Sequence, residues 1–190
     1  RLAEGLGGAG FDVVVTREPG GAPGAEEIRR LLVEGEVDRW DSLSEALLHN
    51  AARNEHLQQT VHPALQSGSW VVCDRFADST IAYQGYGQGL DLEVVRRLHR
   101  LVVGGFSPDL TIILDLPVEI GLKRAVSASG DENRYERMGV DFLQRLRDGF
   151  LEIAAREEER CQVIDARGTI DEVSEAVRQT VSGRLGVSWK

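Results

Sequence analysis

The sequence lacks several features that would assign it to common protein classes. It has no uninterrupted apolar run near the roughly 20 residues that a helix needs to cross a bilayer, so we expect no membrane association. Its two cysteines, Cys73 and Cys161, each lie in a short apolar strand, which predicts buried thiols in a reducing cytoplasm. The net charge of −9 argues against a nucleic-acid partner, although a few local arginines would still bind a nucleotide.

The 190 residues are enough for one domain with a substantial core, and an apolar content of 42% is ordinary for a globular protein. There is no internal repeat, low-complexity tract or linker, so residues 1–190 are predicted to form a single domain. Short apolar runs alternate with helical patterns, which predicts an α/β fold with a parallel sheet flanked by helices. The predicted strands are 13–15, 70–73, 110–114 and 162–164.

Local signals predict where two helices begin. Ser42 with Glu45, and Thr169 with Glu172, have the spacing of capping boxes at helix N-termini. Pro63 is expected to kink or end the regular part of the long helix that follows Ser42.

The most informative local feature is Asp74-Arg75, which directly follows the apolar strand 70–73. Ligands of open parallel sheets bind beyond the carboxyl ends of the strands. Arginine presents a planar fork that matches a phosphate group, and aspartate is a common ligand of Mg²⁺. The alternative is a surface ion pair at a strand end, in which Arg75 bonds to Asp74 or Asp78.

An ordered set of motifs strengthens the nucleotide interpretation. The motifs lie at 16–21 (Thr-Arg-Glu-Pro-Gly-Gly), 51–56 (Ala-Ala-Arg-Asn-Glu-His), 74–85, 108–115 and 133–136 (Asn-Arg-Tyr-Glu). Together, over residues 1–183, they resemble the bacterial thymidylate kinase family, which transfers phosphate from ATP to dTMP. The resemblance implies a nucleoside-monophosphate kinase fold of the P-loop type.

One family motif is not found in these residues: the phosphate-binding loop of pattern G-x-x-x-x-G-K-[ST]. We expect the first strand and this loop to precede Arg1, and a protein that truly begins at Arg1 to be inactive. Two other interpretations stay open at this point. One is a related deoxynucleotide or deoxynucleoside kinase, and the other is a nucleotide-binding pseudoenzyme without the loop.

The resemblance implies roles for residues around the acceptor nucleotide. Arg75 would bind the acceptor phosphate and Asp74 would organise Mg²⁺ near the transferred phosphoryl group. Arg53 would reach a thymine carbonyl, and His49, one helical turn earlier, would stack on the base where the family has Phe. The alternative for His49 is a polar residue on the helix face.

Further residues of the acceptor site follow from the same resemblance. Thr80 would contact the base, Tyr83 would lie beside the 2′ carbon of the sugar, and Gln84 would be a polar residue that lines the acceptor pocket. Core packing is the alternative for Tyr83. Glu18 and Pro19 would form a turn near the acceptor nucleotide, with a peptide bond that is often cis in the family.

Residues 127–139 have the length and composition of a lid over ATP. Arg134 would be a catalytic cation there, although some family members place that arginine in the phosphate loop. Tyr135 and Glu136 would face the nucleotide sugar, while Arg124 and Arg167 would contact ATP. Solvated loop residues are the alternative for the lid positions and for Arg167. The family also implies a homodimer formed through the long helix at 44–65, whose Leu43, Leu47 and Leu48 are apolar on more than one side.

Overall fold

The fold alternates helices with parallel strands, as expected from the sequence. A computed structural model of the chain describes residues 1–36, 38–127 and 138–189. The four described strands are short and rich in β-branched residues, which favour extended backbone. They are β1 (Val13–Arg17), β2 (Trp70–Asp74), β3 (Thr111–Asp115) and β4 (Cys161–Asp165).

The described helices connect these strands. They are α1 (Leu2–Gly8), α2 (Pro23–Val33), α3 (Ser42–His56), α4 (His62–Gln66), α5 (Ala77–Thr80), α6 (Leu92–Val103), α7 (Val118–Ser127), α8 (Val140–Arg156) and α9 (Ile170–Leu185). Two π-helical segments, π1 (Leu57–Val61) and π2 (Ile81–Gly87), extend α3 and α5 without a break.

The described strands pair as two separate two-stranded parallel sheets rather than one continuous sheet. In the first sheet, Arg17 of β1 lies opposite Asp74 of β2, so the two carboxyl ends are level. In the second, Asp115 of β3 lies opposite Asp165 of β4 in the same way. The chain segments that follow β1 and β2 are therefore held side by side.

The helix termini confirm one capping prediction and correct the other. Thr169 and Glu172 form the predicted capping box at α9. The prediction for Ser42 was wrong, because the N-cap of α3 is Asp41, whose carboxylate accepts hydrogen bonds from the backbone N–H of Leu43 and Ser44. Glu45 is instead buried and accepts a hydrogen bond from the Gln88 side-chain amide.

Pro63 has the effect predicted for it. It lies at the start of α4, directly after the π-helical segment π1. A proline has no N–H to donate and its ring crowds the preceding turn, so regular α-helical bonding is interrupted there. The α3 helix, which carries Arg53, is left regular.

Among the described residues, the largest hydrophobic cluster packs against π2. Phe142, Leu146 and Ile153 form the buried stripe of α8 and pack against Ala82 of π2 and Ile113 of β3. Gly149 allows the close approach, since a Cβ there would lie 2.7 Å from the ring of Tyr86. The packing fixes π2, which contains Gln84 and directly follows Thr80, against the core.

Candidate active site

Arg53 is the centre of a buried polar cluster at the carboxyl ends of β1 and β2. Its side chain is only 2% exposed although it carries a charge. The Nε group donates to Oε2 of Glu18 at 2.8 Å, and Nη2 donates to Oγ1 of Thr80 at 2.9 Å. The guanidinium also lies 5.4 Å from the centre of the Phe76 ring. Three predicted site residues from separate segments are thus brought together.

The Glu18-Pro19 turn is tied to the Asp74-Arg75 segment through the backbone. The N–H of Glu18 donates to the carbonyl of Asp74 at 2.9 Å. The Glu18-Pro19 peptide bond is cis, as it often is in the family that the sequence resembles. The turn therefore delivers the Glu18 carboxylate to the buried cluster.

His56 completes the cluster on the far side of Glu18, and the sequence analysis gave it no role. Its Nδ1 lies 3.0 Å from Oε1 of Glu18, and its Nε2 lies 2.7 Å from Oγ1 of Thr16. Gly21 has a φ of +81°, and a Cβ there would lie 2.7 Å from Cδ2 of His56. The three-residue spacing from Arg53 to His56 on one helix was the available signal.

Gln84 is fully buried, and neither polar atom of its amide has a hydrogen-bond partner within the described residues. It follows Thr80 by about one turn, where α5 continues into π2. Buried amides are rarely left unpaired, because each unpaired donor or acceptor has lost its water without compensation. Gln84 is therefore an unsatisfied buried amide beside the Arg53 cluster.

Three arginine side chains lie near the carboxyl ends of β1 and β2. Arg75 is exposed, adopts a left-handed φ of 70°, and places its guanidinium 4.9 Å from the centre of the Tyr83 ring. Arg29 of α2, which the sequence analysis missed, donates to the carbonyl of Pro19 at 2.7 Å. Burial lowers the pKa of Arg29, as do the positive charges of Arg17 and Arg75. Arg17 itself pairs with Glu26 at 3.1 Å.

Two other predicted residues lie near this cluster. His49 is half-buried on α3, one turn before Arg53. Tyr83 packs edge-on against Phe142 and Phe150, with ring centres 6.2 and 6.4 Å away. Tyr83 is therefore part of the core on one side and of the Arg75 contact on the other.

The predicted ATP contacts Arg124 and Arg167 lie at the loop that follows β4. Arg124 donates to the carbonyl oxygens of Ala166 and Arg167, both at 2.8 Å, so it holds this loop in place. Arg167 forms an ion pair with Asp165 at 2.6 Å, which lowers the pKa of that carboxyl to about 2. Both guanidinium groups are engaged with the protein.

Comparison with known proteins decides the family. The profile of the family described as thymidylate kinase matches residues 1–177. The chain belongs to the thymidylate kinase family. The thymidylate kinase of Caulobacter vibrioides is 52% identical over 187 residues, covering 98% of this chain and 89% of that protein. That of Ruegeria pomeroyi is 49% identical, covering 97% and 87%.

A solved structure agrees. The crystal structure of thymidylate kinase from Ehrlichia chaffeensis is 38% identical and superposes with a TM-score of 0.74, covering 95% of this chain and 87% of that one. Family membership makes the protein an enzyme that phosphorylates dTMP with ATP as the donor. The predicted fold and activity are therefore confirmed.

Most of the lid predicted at 127–139 lies outside the described residues. This part includes the predicted site residues Arg134, Tyr135 and Glu136. Within the described residues no three potential metal-binding side chains come together, and Asp74 stands exposed at the end of β2. None of the described helices is long and apolar enough to cross a membrane.

Proposed function

We propose that the thymine of dTMP binds beside Arg53, Thr80 and Gln84. The main observation in support of this proposal is the buried Gln84 amide, whose donor and acceptor both lack a partner in the described residues. Thymine presents N3–H, a donor, next to O4, an acceptor. A carboxamide meets this edge with two complementary hydrogen bonds, which would satisfy both of the unpaired Gln84 atoms once the enclosing side chains move apart to admit the base.

Arg53 supplies the second element of base recognition. Three of its five N–H groups are engaged within the described residues, with Glu18, Asn50 and Thr80, and two remain for a carbonyl oxygen. A guanidinium has no acceptor, so it discriminates against cytosine, which places an amino group where thymine has O4. His49 would stack on the base from one turn earlier, because an imidazole ring is flat.

The dTMP phosphate is proposed to lie at the open ends of β1 and β2, bound by Arg75 and Arg29. The positive charge of Arg75 lowers the pKa of Arg29 and the negative charge of Asp74 raises it, so both charges lie within electrostatic range of the Arg29 guanidinium. Tyr83 lies under Arg75, where its ring would crowd a 2′-hydroxyl and favour deoxyribose. A phosphate bound between the two guanidinium groups would offset the repulsion between their charges.

Mg²⁺ would be held by Asp74 together with the substrate phosphates. A single exposed carboxylate fits this ion, which usually keeps several waters and takes only one or two protein ligands. Bound there, the ion would neutralise negative charge on the phosphates. The protein's own contribution to phosphoryl transfer is positioning and charge stabilisation, with no covalent nucleophile. A phosphate oxygen of dTMP bonds to the γ-phosphorus of ATP as the bond from that phosphorus to the bridging oxygen breaks, and this oxygen leaves with ADP. We propose that Arg134 of the lid stabilises the negative charge on the transferred phosphoryl group.

Base and sugar selectivity tests the acceptor site directly. We expect kcat/KM for dTMP to exceed that for dCMP by about 100-fold, since a site built to hydrogen-bond one base edge leaves its polar groups unpaired with another. The ribonucleotide analogue of dTMP should also be a poorer substrate than dTMP. The measurement is steady-state ADP formation with each acceptor at saturating ATP. Equal kcat/KM for dTMP and dCMP would contradict the assignment of Arg53 and Gln84.

A homodimer is proposed to form through α3. Leu43 and Leu47 are 42% and 49% exposed and lie one turn apart on that helix, and Leu31 of the neighbouring α2 is also exposed. Apolar side chains grouped on adjacent helices are typical of a protein interface.

We expect light scattering at micromolar concentration to give the mass of a dimer. Leu47→Glu should shift the mass toward that of a monomer, because a carboxylate is costly to bury in an apolar interface. Ile170→Glu, at an exposed position of α9, is the matched control and should leave the dimer intact. A monomeric mass for the unmodified protein would count against the interface.

We also propose that the enzyme acts in the cytoplasm, where ATP and dTMP are available. Its two cysteines are free thiols, as expected in a reducing compartment. Cys161 is buried as predicted, whereas Cys73 is only partly buried. Burial raises the pKa of both thiols, that of Cys161 to about 11, so both stay protonated at neutral pH.

A further inference from the structure

His56 is a fully buried imidazole at the centre of a hydrogen-bond chain that reaches Arg53. The chain runs from Thr16 through His56 and Glu18 to Arg53, with successive distances of 2.7, 3.0 and 2.8 Å. Arg53 continues it to Thr80 at 2.9 Å. His56 has no role in the proposed contacts with dTMP, yet it is coupled to the residue proposed to recognise the base.

The direction of the hydrogen bonds follows from the chemistry of the groups. An ionised carboxylate only accepts, so the Glu18–His56 bond requires a proton on Nδ1 of His56. Arg53 likewise donates from Nε to the other oxygen of Glu18. Each carboxylate oxygen therefore has its own donor, and Glu18 binds Arg53 through Nε alone.

Because Glu18 binds only Nε of Arg53, the two terminal nitrogens of the guanidinium can bond to other groups. A free carboxylate beside an arginine favours the fork geometry, in which both oxygens bind two N–H groups of the same guanidinium. The bond from His56 to Oε1 holds the carboxylate in an orientation in which only Oε2 bonds to Arg53, so the fork does not form. The Nη2 group is then left to bond Thr80, and the two N–H groups that bond none of Glu18, Asn50 and Thr80 are left for a substrate carbonyl.

We infer that His56 is a positioning residue for thymine recognition, which acts by holding Glu18 so that Arg53 presents its terminal N–H groups to the base. The inference rests on the proposed role of Arg53. It deepens that proposal by adding a residue that touches no substrate atom. Loss of the Nδ1 donor lets Glu18 rotate onto Arg53 and withdraw Nη2 from Thr80.

Two substitutions separate the two nitrogens of the ring. In His56→Asn, the amide nitrogen takes the place of Nδ1 and keeps the bond to Glu18. In His56→Gln, the amide nitrogen takes the place of Nε2 and keeps only the contact with Thr16. We expect the Kd for dTMP, measured by calorimetry, to stay within about 3-fold of wild type in His56→Asn and to rise about 10-fold or more in His56→Gln.

If His56 only held the turn at Thr16 and Gly21, the Kd for dTMP would rise more in His56→Asn than in His56→Gln. Selectivity for dTMP over dCMP should fall in His56→Gln together with the affinity for dTMP, while the KM for ATP stays unchanged. Equal losses in the two variants, or a larger loss in His56→Asn, would overturn the inference. Thr16→Val, which removes only the Nε2 contact, should keep wild-type selectivity, and a loss there would also overturn it.

A measurement on the unmodified enzyme covers the case in which the His56 variants fold poorly. Long-range ¹H–¹⁵N correlation spectra should show Nδ1 of His56 protonated, and an unprotonated Nδ1 would contradict the inference. Arg53→Gln, assayed alongside, separates the two proposals. If Arg53→Gln keeps base selectivity, the proposed base site itself is wrong. If Arg53→Gln loses it but His56→Gln does not, only the positioning role is wrong.

Discussion

Replacing Arg53 with glutamine is expected to lower kcat/KM for dTMP by about 100-fold, which corresponds to the roughly 2–3 kcal/mol of a hydrogen bond made by a charged group. The same change should destabilise the fold. It leaves the Glu18 carboxylate buried without its cation, and breaking a buried ion pair in this way costs about 3 kcal/mol. For a protein of this size, the melting temperature should fall by roughly 6–12 °C.

A double substitution separates the two effects of Arg53. Glu18→Gln combined with Arg53→Gln removes the uncompensated charge, so we expect the melting temperature to recover by several degrees while dTMP phosphorylation stays low. Arg100→Gln is the matched control, because Arg100 is an exposed arginine paired with Glu93 on α6. It should change neither property. Near-normal kinetics in Arg53→Gln would remove Arg53 from the base site.

Replacing Arg75 with alanine is expected to raise the KM for dTMP and to lower kcat strongly. A guanidinium that binds phosphate through two N–H groups contributes roughly 2–4 kcal/mol, so kcat/KM should fall by about 30-fold to 1,000-fold. Arg75→Lys keeps the charge but loses the fork, and should retain only part of the activity. Wild-type kinetics for Arg75→Ala would exclude Arg75 from the phosphate site.

The backbone at Arg75 allows a control that distinguishes lost binding from lost folding. The φ of 70° is unfavourable for residues with a Cβ but not for glycine. Arg75→Gly should therefore be as inactive as Arg75→Ala, yet unfold at a temperature no lower than that of the wild type. A melting temperature well below wild type would show that the Arg75 side chain mainly supports the fold.

Local sequence determined the order of the secondary structure and the kind of fold. The β-branched runs gave the four described strands within about two residues at each end, because alternation of short apolar runs with amphipathic helices has few other solutions. The cap at Thr169 and the interruption before Pro63 were also predictable, since both depend on neighbours within four residues. At α3 the capping-box spacing predicted Ser42 as the N-cap, but the carboxylate of Asp41, one residue earlier, is the stronger acceptor and caps the helix.

The motifs identified the family, but only the tertiary structure decided what their side chains do. Arg53 meets Glu18 and Thr80 across 35 and 27 residues of sequence, at a place set by the level ends of β1 and β2. The hydrogen bonds of His56 and Arg29, and the amide of Gln84 that is unpaired within the described residues, likewise depend on how segments far apart in the chain pack together. Sequence patterns record the local preferences of the backbone, whereas burial and hydrogen-bond partners are settled only when distant segments pack together.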